Sequence, residues 1–202
     1  IVAGPIAESI PLLTKKQKVA GVALINIGAE VTSILVYENN IPLLVSTIGV
    51  GGNDITKDIA LGMKITLEDA EEIKCGRGSL PHSKKRLEEI VEARLEDLCE
   101  KITKEFSRIQ RQELLPAGIV VCGSSSLVTR LEYVFRNELK LPIKIASTEL
   151  LKLTHDTLRD SGWARCYGLT FLAPQDTEND IIKELLTSLF IRVKKVIVQF
   201  LP

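Results

Sequence analysis

Apolar and polar positions alternate along this chain in blocks that change period twice. "VALINI" (22–27), "TSILVYE" (32–38) and "IPLLVSTIGV" (41–50) are short runs rich in β-branched residues, and the polar trio Glu38-Asn39-Asn40 separates the last two. Such runs, bounded by turn residues, predict a three-stranded meander. Ahead of it, residues 6 to 18 read as a short helix leading into the fold.

The pattern then turns helical. "GGNDITKDIALGM" (51–63) predicts a glycine break and a helix capped by Asn53 or Asp54, with Ile55, Ile59 and Leu61 inward. "TLEDAEEIKCG" (66–76) predicts a second helix, opened by Thr66 with Asp69 three residues on and stopped by Gly76. After the loop "GRGSLPHSKK" (76–85), apolar residues from Leu87 to Ile109 recur three and four apart and predict one long helix over 86–112. It packs on a neighbouring sheet or, alternatively, forms a coiled coil.

Strand periodicity returns in "AGIVVCG" (117–123) and "PIKIAS" (142–147), with helices expected over 126–139 and 161–173. A meander, a helical insertion and a strand-helix-strand-helix run make the fold class α/β.

Composition narrows the function. The 202 residues carry 26 basic and 26 acidic side chains, so no global charge marks a nucleic-acid binder. Cys75, Cys99, Cys122 and Cys166 are scattered, which suggests reduced core thiols in a cytosolic protein. His82 and His155 lack partners at metal-ligand spacing, so no metal site is expected. The start, "IVAGPIAESIPLL", has neither Met nor the charge pattern of a signal peptide, and reads as a segment entered mid-protein.

Candidate chemistry lies in the turns. "INIGAEVTSI" is strand, small-residue turn, strand, the form in which bare backbone approaches a phosphate. Next come the glycine break at Gly51-Gly52 and then Glu71-x-x-Lys74 on a helix. "LPAGIVVCGSSSLVTRL" and "DSGWARCYGLTFLA" follow. Taken singly, each of these is also what an ordinary turn or a surface ion pair requires.

Taken in order, they resemble the C-terminal half of FtsA, the actin-like bacterial cell-division family, from about residue 6 to the end. The resemblance implies the second lobe of an actin-like ATPase (ribonuclease H-like) fold. Residues 1–18 would lead in from a first lobe, 19–50 and 114–174 would form the core subdomain, 51–113 an inserted, mainly helical outer subdomain, and 175–202 a linker and amphipathic helix. It implies ATP and Mg²⁺ at Asn26, Gly28, Thr32, Glu71, Lys74, Gly123, Ser124 and Ser125. Several of these positions depart from the family pattern. Asn26 stands for its metal-orienting Asp, Ala29 and Glu30 for glycines, Val31 for a Thr and Ser124 for a Gly. Glu30 opposes phosphate. Weak or absent ATP binding and no hydrolysis are therefore expected. The family resemblance also implies that the 51–113 region docks the tail of the tubulin-like FtsZ, that filaments form by self-association, and that Arg94 lies in the family's long helix. The run Lys84-Lys85-Arg86 would suit an acidic tail. Pilus-assembly scaffolds of the same superfamily, or an actin-fold ATPase with its own substrate, are the alternatives.

The chain's last segment, "IIKELLTSLFIRVKKVIVQFLP", reads as a helix lying in a membrane surface. Leu189, Phe190, Val193, Ile197 and Phe200 share an apolar face, and Arg192, Lys194 and Lys195 are among the cations beside it. Lys183, Arg192, Lys194 and Lys195 against Glu184 leave a net +3, suited to anionic lipid at the cytoplasmic face of the bacterial membrane. A last core helix, or a strand through "VIVQF", is the plain alternative, and Ile191 and Val198 interrupt the polar face.

Overall fold

The computed structural model describes residues 1–78, 84–146 and 163–172. The lead-in is two helices where the sequence pattern suggests one. Helix α1 (Gly4–Leu12) has Pro5 in its first turn, where a missing N–H costs nothing. Helix α2 (Lys15–Ala20) starts afresh because Thr14 and Gln17 bond each other's backbone N–H groups, a capping box that ends the first helix.

Strands β1 (Val22–Ile27) and β2 (Thr32–Glu38) have the expected bounds, and β3 (Ile41–Ile48) stops two residues early. These three pair antiparallel, while β1, β4 (Ile119–Cys122) and β5 (Ile143–Ile145) run parallel, giving the mixed order β3-β2-β1-β4-β5. The central strands are buried on both faces. Ala23, Ile25, Ile27, Ile34 and Val36 face one core, and Val22, Leu24, Leu35 and Tyr37 face a smaller one with Leu12, Leu13, Cys122 and Ala164.

Three helices connect β3 to β4: α3 (Gly52–Met63), α4 (Leu67–Lys74) and α5 (Lys84–Arg108). No strand falls in 51–113 among the described residues. Thr66 caps α4 as its sequence suggests, its hydroxyl accepting from the Asp69 N–H. The cap of α3 is Gly51, whose N–H donates to the Asp54 carboxylate at 3.0 Å. Asp54 thus caps from three residues inside the helix, and Leu61 points outward at 79% exposure. The long helix packs against α3 and α6 rather than a coiled-coil partner: Val91, Leu95, Leu98, Ile102 and Phe106 enter the same core as β1 and β2.

Helix α6 (Leu131–Leu139) begins five residues later than its apolar spacing suggests. The intervening serines compete for backbone groups, the Ser126 hydroxyl donating to the Gly123 carbonyl and Ser125 to that of Gly28. Helix α7 (Ala164–Leu172) is the last described element. Two cysteines, Cys99 and Cys122, are buried, with burial pushing both thiols up; Cys75 and Cys166 are exposed, contrary to the expectation of four core thiols.

Candidate functional site

Parallel strands β1 and β4 end side by side, Asn26 opposite Cys122. The two turns that follow them therefore meet, at the kind of crevice where α/β sheets bind ligands. Ser125 donates its N–H to Ile27 O at 3.1 Å and its hydroxyl to Gly28 O at 3.3 Å. On the other side, Gly52 N–H reaches Gly28 O at 2.9 Å and Asn53 N–H reaches Ala29 O at 2.7 Å. Gly52 must lack a side chain, because a Cβ there would lie 2.0 Å from the Ser125 hydroxyl. The small-residue turn, the α3 start and the serine turn are thus one assembly.

Lys74 closes it from below. Its ammonium donates to Gly52 O (3.2 Å), the Thr56 hydroxyl (2.9 Å) and Glu71 (2.6 Å), and its side chain is 7% exposed. It is a buried strut between α4 and α3, not half of a solvated pair. Burial alone would raise the Glu71 carboxyl, but hydrogen bonds from Lys74 and Thr56 outweigh it and hold the group below its ordinary value. Asp54 is held low chiefly by the Gly51 N–H, and Asp97 chiefly by Lys101. A depressed carboxyl stabilises the fold fully above its unfolded value, 4.5 for Glu71, and that contribution is lost as pH falls through the folded value. Urea unfolding at pH 7 and pH 3.5 should show this loss, and Glu71→Gln should narrow the gap between the two midpoints. An unchanged gap counts against it.

Beside Lys74 opens a cleft of about 210 Å³ walled by Ile73, Leu87, Val91 and Val128, with Arg130 at its mouth. Sites that enclose a whole ligand run to roughly 300–1,000 Å³, so this one has room for only part of such a ligand. A wider groove of about 480 Å³ lies along α6, where Arg136 pairs with Glu132; Arg130, paired with Glu92, lines both, but only the cleft reaches Lys74. The cleft is the better candidate.

The phosphate end fits less well. The α3 N–H groups that would greet an anion already bond Gly28 and Ala29 carbonyls. Thr32 is fully buried, its hydroxyl donating to Val50 O, and Asn26 donates its amide to Glu8 at 2.8 Å. Glu30 stands exposed at the turn's tip, and Ser124 is exposed beside the buried Ser125. No cluster of three or more His, Cys, Asp or Glu could hold a metal ion among the described residues. At this end the α3 N–H groups, the Thr32 hydroxyl and the Asn26 amide are thus already engaged within the chain.

Elsewhere, Arg94 forks onto Asp58 (2.5 and 3.0 Å) and also meets Asp97, tying α5 to α3; Asp58 above all keeps its guanidinium charged. Lys84 and Lys85 pair with Glu88 and Glu89 one turn on, and Arg86 donates to Gly62 O. That run is largely a neutralised helix face. Leu189, Phe190, Arg192, Val193, Lys194, Lys195, Ile197 and Phe200 lie outside the described residues. Sequence reasoning assigned no role to Glu8 or Thr56, although Thr56 lies inside "GGNDITKDIALGM" and a lone carboxylate within "PIAESIPLL" is itself a signal.

The sequence model of the family described as "Cell division protein FtsA" matches residues 23–168. Cell division protein FtsA of Bacillus subtilis (strain 168) is 28% identical over 165 residues, 71% of this chain and 37% of that protein. That of Pseudomonas aeruginosa is 25% identical over 191 residues, 84% and 46%. The chain thus spans less than half the length of these curated relatives. Among solved structures, the PilM–PilN type IV pilus biogenesis complex matches with a TM-score of 0.69 at 22% identity, over 85% of this chain and 52% of the other. MreB 5 of Spiroplasma citri bound to AMPPNP matches at 0.65 and 17%, over 92% and 60%. The described residues form part of an actin-like ATPase fold, and the chain belongs to the FtsA cell-division family.

Proposed function

We propose that this chain works as an FtsA-like adaptor of cell division that tethers the FtsZ ring to the cytoplasmic face of the bacterial membrane, with a degenerate ATP site. The observation that carries the reading is the family match over 23–168. In this reading 19–50 and 114–174 are the core, 51–113 receives the FtsZ tail, 181–202 lies on anionic lipid, and copies associate into filaments. The tail's net +3 and its interspersed charges favour lying on the surface, since each Lys or Arg at a membrane centre costs about 2.5–3.5 kcal/mol. Among the described residues no helix is long and apolar enough to cross a membrane.

Co-sedimentation tests the tether. The chain should pellet with anionic vesicles at low salt, carry FtsZ down with it, and lose lipid binding when 178–202 is deleted. A chain that stays in the supernatant with such vesicles sinks the reading. Binding a partner peptide without lipid would favour the second reading, a pilus-assembly-type scaffold, which the likeness to the PilM–PilN structure supports.

Adenosine contacts fall to Lys74, Glu71, Ser125 and the apolar walls of the cleft, while Asn26 and the 28–31 turn border the phosphates. ATP, when bound, would supply a phosphate group to close against; the chain's own residues only bind and orient. Calorimetric titration with Mg-ATP should show nothing tighter than about millimolar, roughly −4 kcal/mol. Micromolar affinity would overturn the degenerate-site reading, and Glu30→Gly should tighten binding in a chain that also carries a first lobe.

A further inference from the structure

Glu8 is a carboxylate at 1% exposure, and a buried charge is tolerated only when it is paired. Both of its partners bond one oxygen: Asn26 Nδ2 at 2.8 Å and Arg165 Nε at 2.7 Å meet Oε1. Its other oxygen, Oε2, has no hydrogen-bond partner among the described residues. A carboxylate only accepts, so the Asn26 amide must turn its NH₂ toward Glu8. Its carbonyl Oδ1 then lies against Gly123, where an added Cβ would approach it to 2.4 Å.

The same stretch of α1 seats the start of α7. Ala164 is buried against the smaller core, Arg165 reaches Glu8, and Gly168 packs so tightly on Ala7 that a Cβ would fall 1.9 Å from the Ala7 carbonyl oxygen. One buried side chain therefore holds the tip of β1 and the first turn of α7 together.

We propose that Glu8 is a positioning residue that couples the end of β1 to α7, and that residues 8 and 26 form a matched pair, one carboxylate and one amide. The asparagine at 26 is then a requirement of this chain's packing. An aspartate there would set two acid groups, neither with an N–H to give, at hydrogen-bond distance beside an oxygen already unpaired, where both cannot stay ionised. The strain releases at the weaker seat, where Arg165 is half exposed. A ligand that draws on the Asn26 amide is thereby linked to α7; this consequence alone rests on the nucleotide reading.

Cys122 reports the seat. It lies buried in the layer with Leu12, Leu13 and Ala164, while Cys99 lies in the other core and serves as the internal standard. Thiol labelling of the full chain, read by mass spectrometry, should show Cys75 and Cys166 reacting first in every variant. Asn26→Asp should speed Cys122 by about tenfold relative to Cys99, as a local opening does. Adding Glu8→Gln, which restores a donor between the two, should return Cys122 to within about twofold of the unaltered chain. Should Asn26→Asp alone fail to fold, recovery of folding by Glu8→Gln supports the pairing and failure to recover overturns it. Equal acceleration of Cys99, an unchanged Cys122, or no rescue also overturns it. None of these outcomes depends on ATP.

Discussion

Gly123→Ala is expected to destabilise the fold by at least about 3 kcal/mol, a large part of the 5–15 kcal/mol typical of a domain. Gly123 has φ +97°, a backbone conformation that costs an L residue about 1–2 kcal/mol. Its added Cβ would lie 2.5 Å from Ile27 O as well as 2.4 Å from Asn26 Oδ1. Neither neighbour can step aside. Ile27 belongs to a central strand and its carbonyl accepts the Ser125 N–H, and Asn26 is held by Glu8. Relief must come from moving β4 away from β1, which also dismantles the crevice. Gly49→Ala is the control: nothing lies within 4 Å of its Cβ, and a change within about 0.5 kcal/mol is expected. Urea midpoints decide between them, and a Gly123→Ala midpoint as mild as that of Gly49→Ala refutes the close-packed turn.

The central strands were legible because period-two and continuous apolar runs report burial directly, and β1 ends at the small-residue turn Gly28-Ala29 as β2 ends at Asn39-Asn40. The candidate site was legible in part. The glycines at 28, 52 and 123 mark turns that do meet, and at Gly52 and Gly123 the approach leaves no room for a Cβ. What Lys74 does was not legible. A Glu-x-x-Lys pair on a helix looks the same whether its lysine faces water or the start of another helix, and the choice depends on how α3 and α4 pack. The start of α6 eluded the spacing for a similar reason, since one of the two hydroxyls that delay it, that of Ser125, bonds to a turn almost a hundred residues earlier. Glu8 is the extreme case: its partners, Asn26 and Arg165, are 18 and 157 residues away.

Leu95→Ala should lower stability by about 2–5 kcal/mol, the range for truncating a fully buried leucine whose surroundings cannot collapse. Leu95 sits mid-way along α5 at 0% exposure, in one continuous core with Ile55 and Ile59 of α3, Phe135 of α6, and Ile25, Ile34 and Val121 of the sheet. That continuity gives the prediction its second part. An insertion folding on its own core would register the cavity alone, leaving the strands as protected as before. A shared core passes the loss to both, so amide exchange at Ile25 and Ile34 should quicken in step with exchange along α5, and urea unfolding should remain a single transition. Leu61→Ala, on the outer side of α3 at 79% exposure, should leave both measures nearly unchanged. Protection at Ile25 that survives Leu95→Ala would mean that 51–113 folds as a body of its own, packed on the sheet but energetically separate from it.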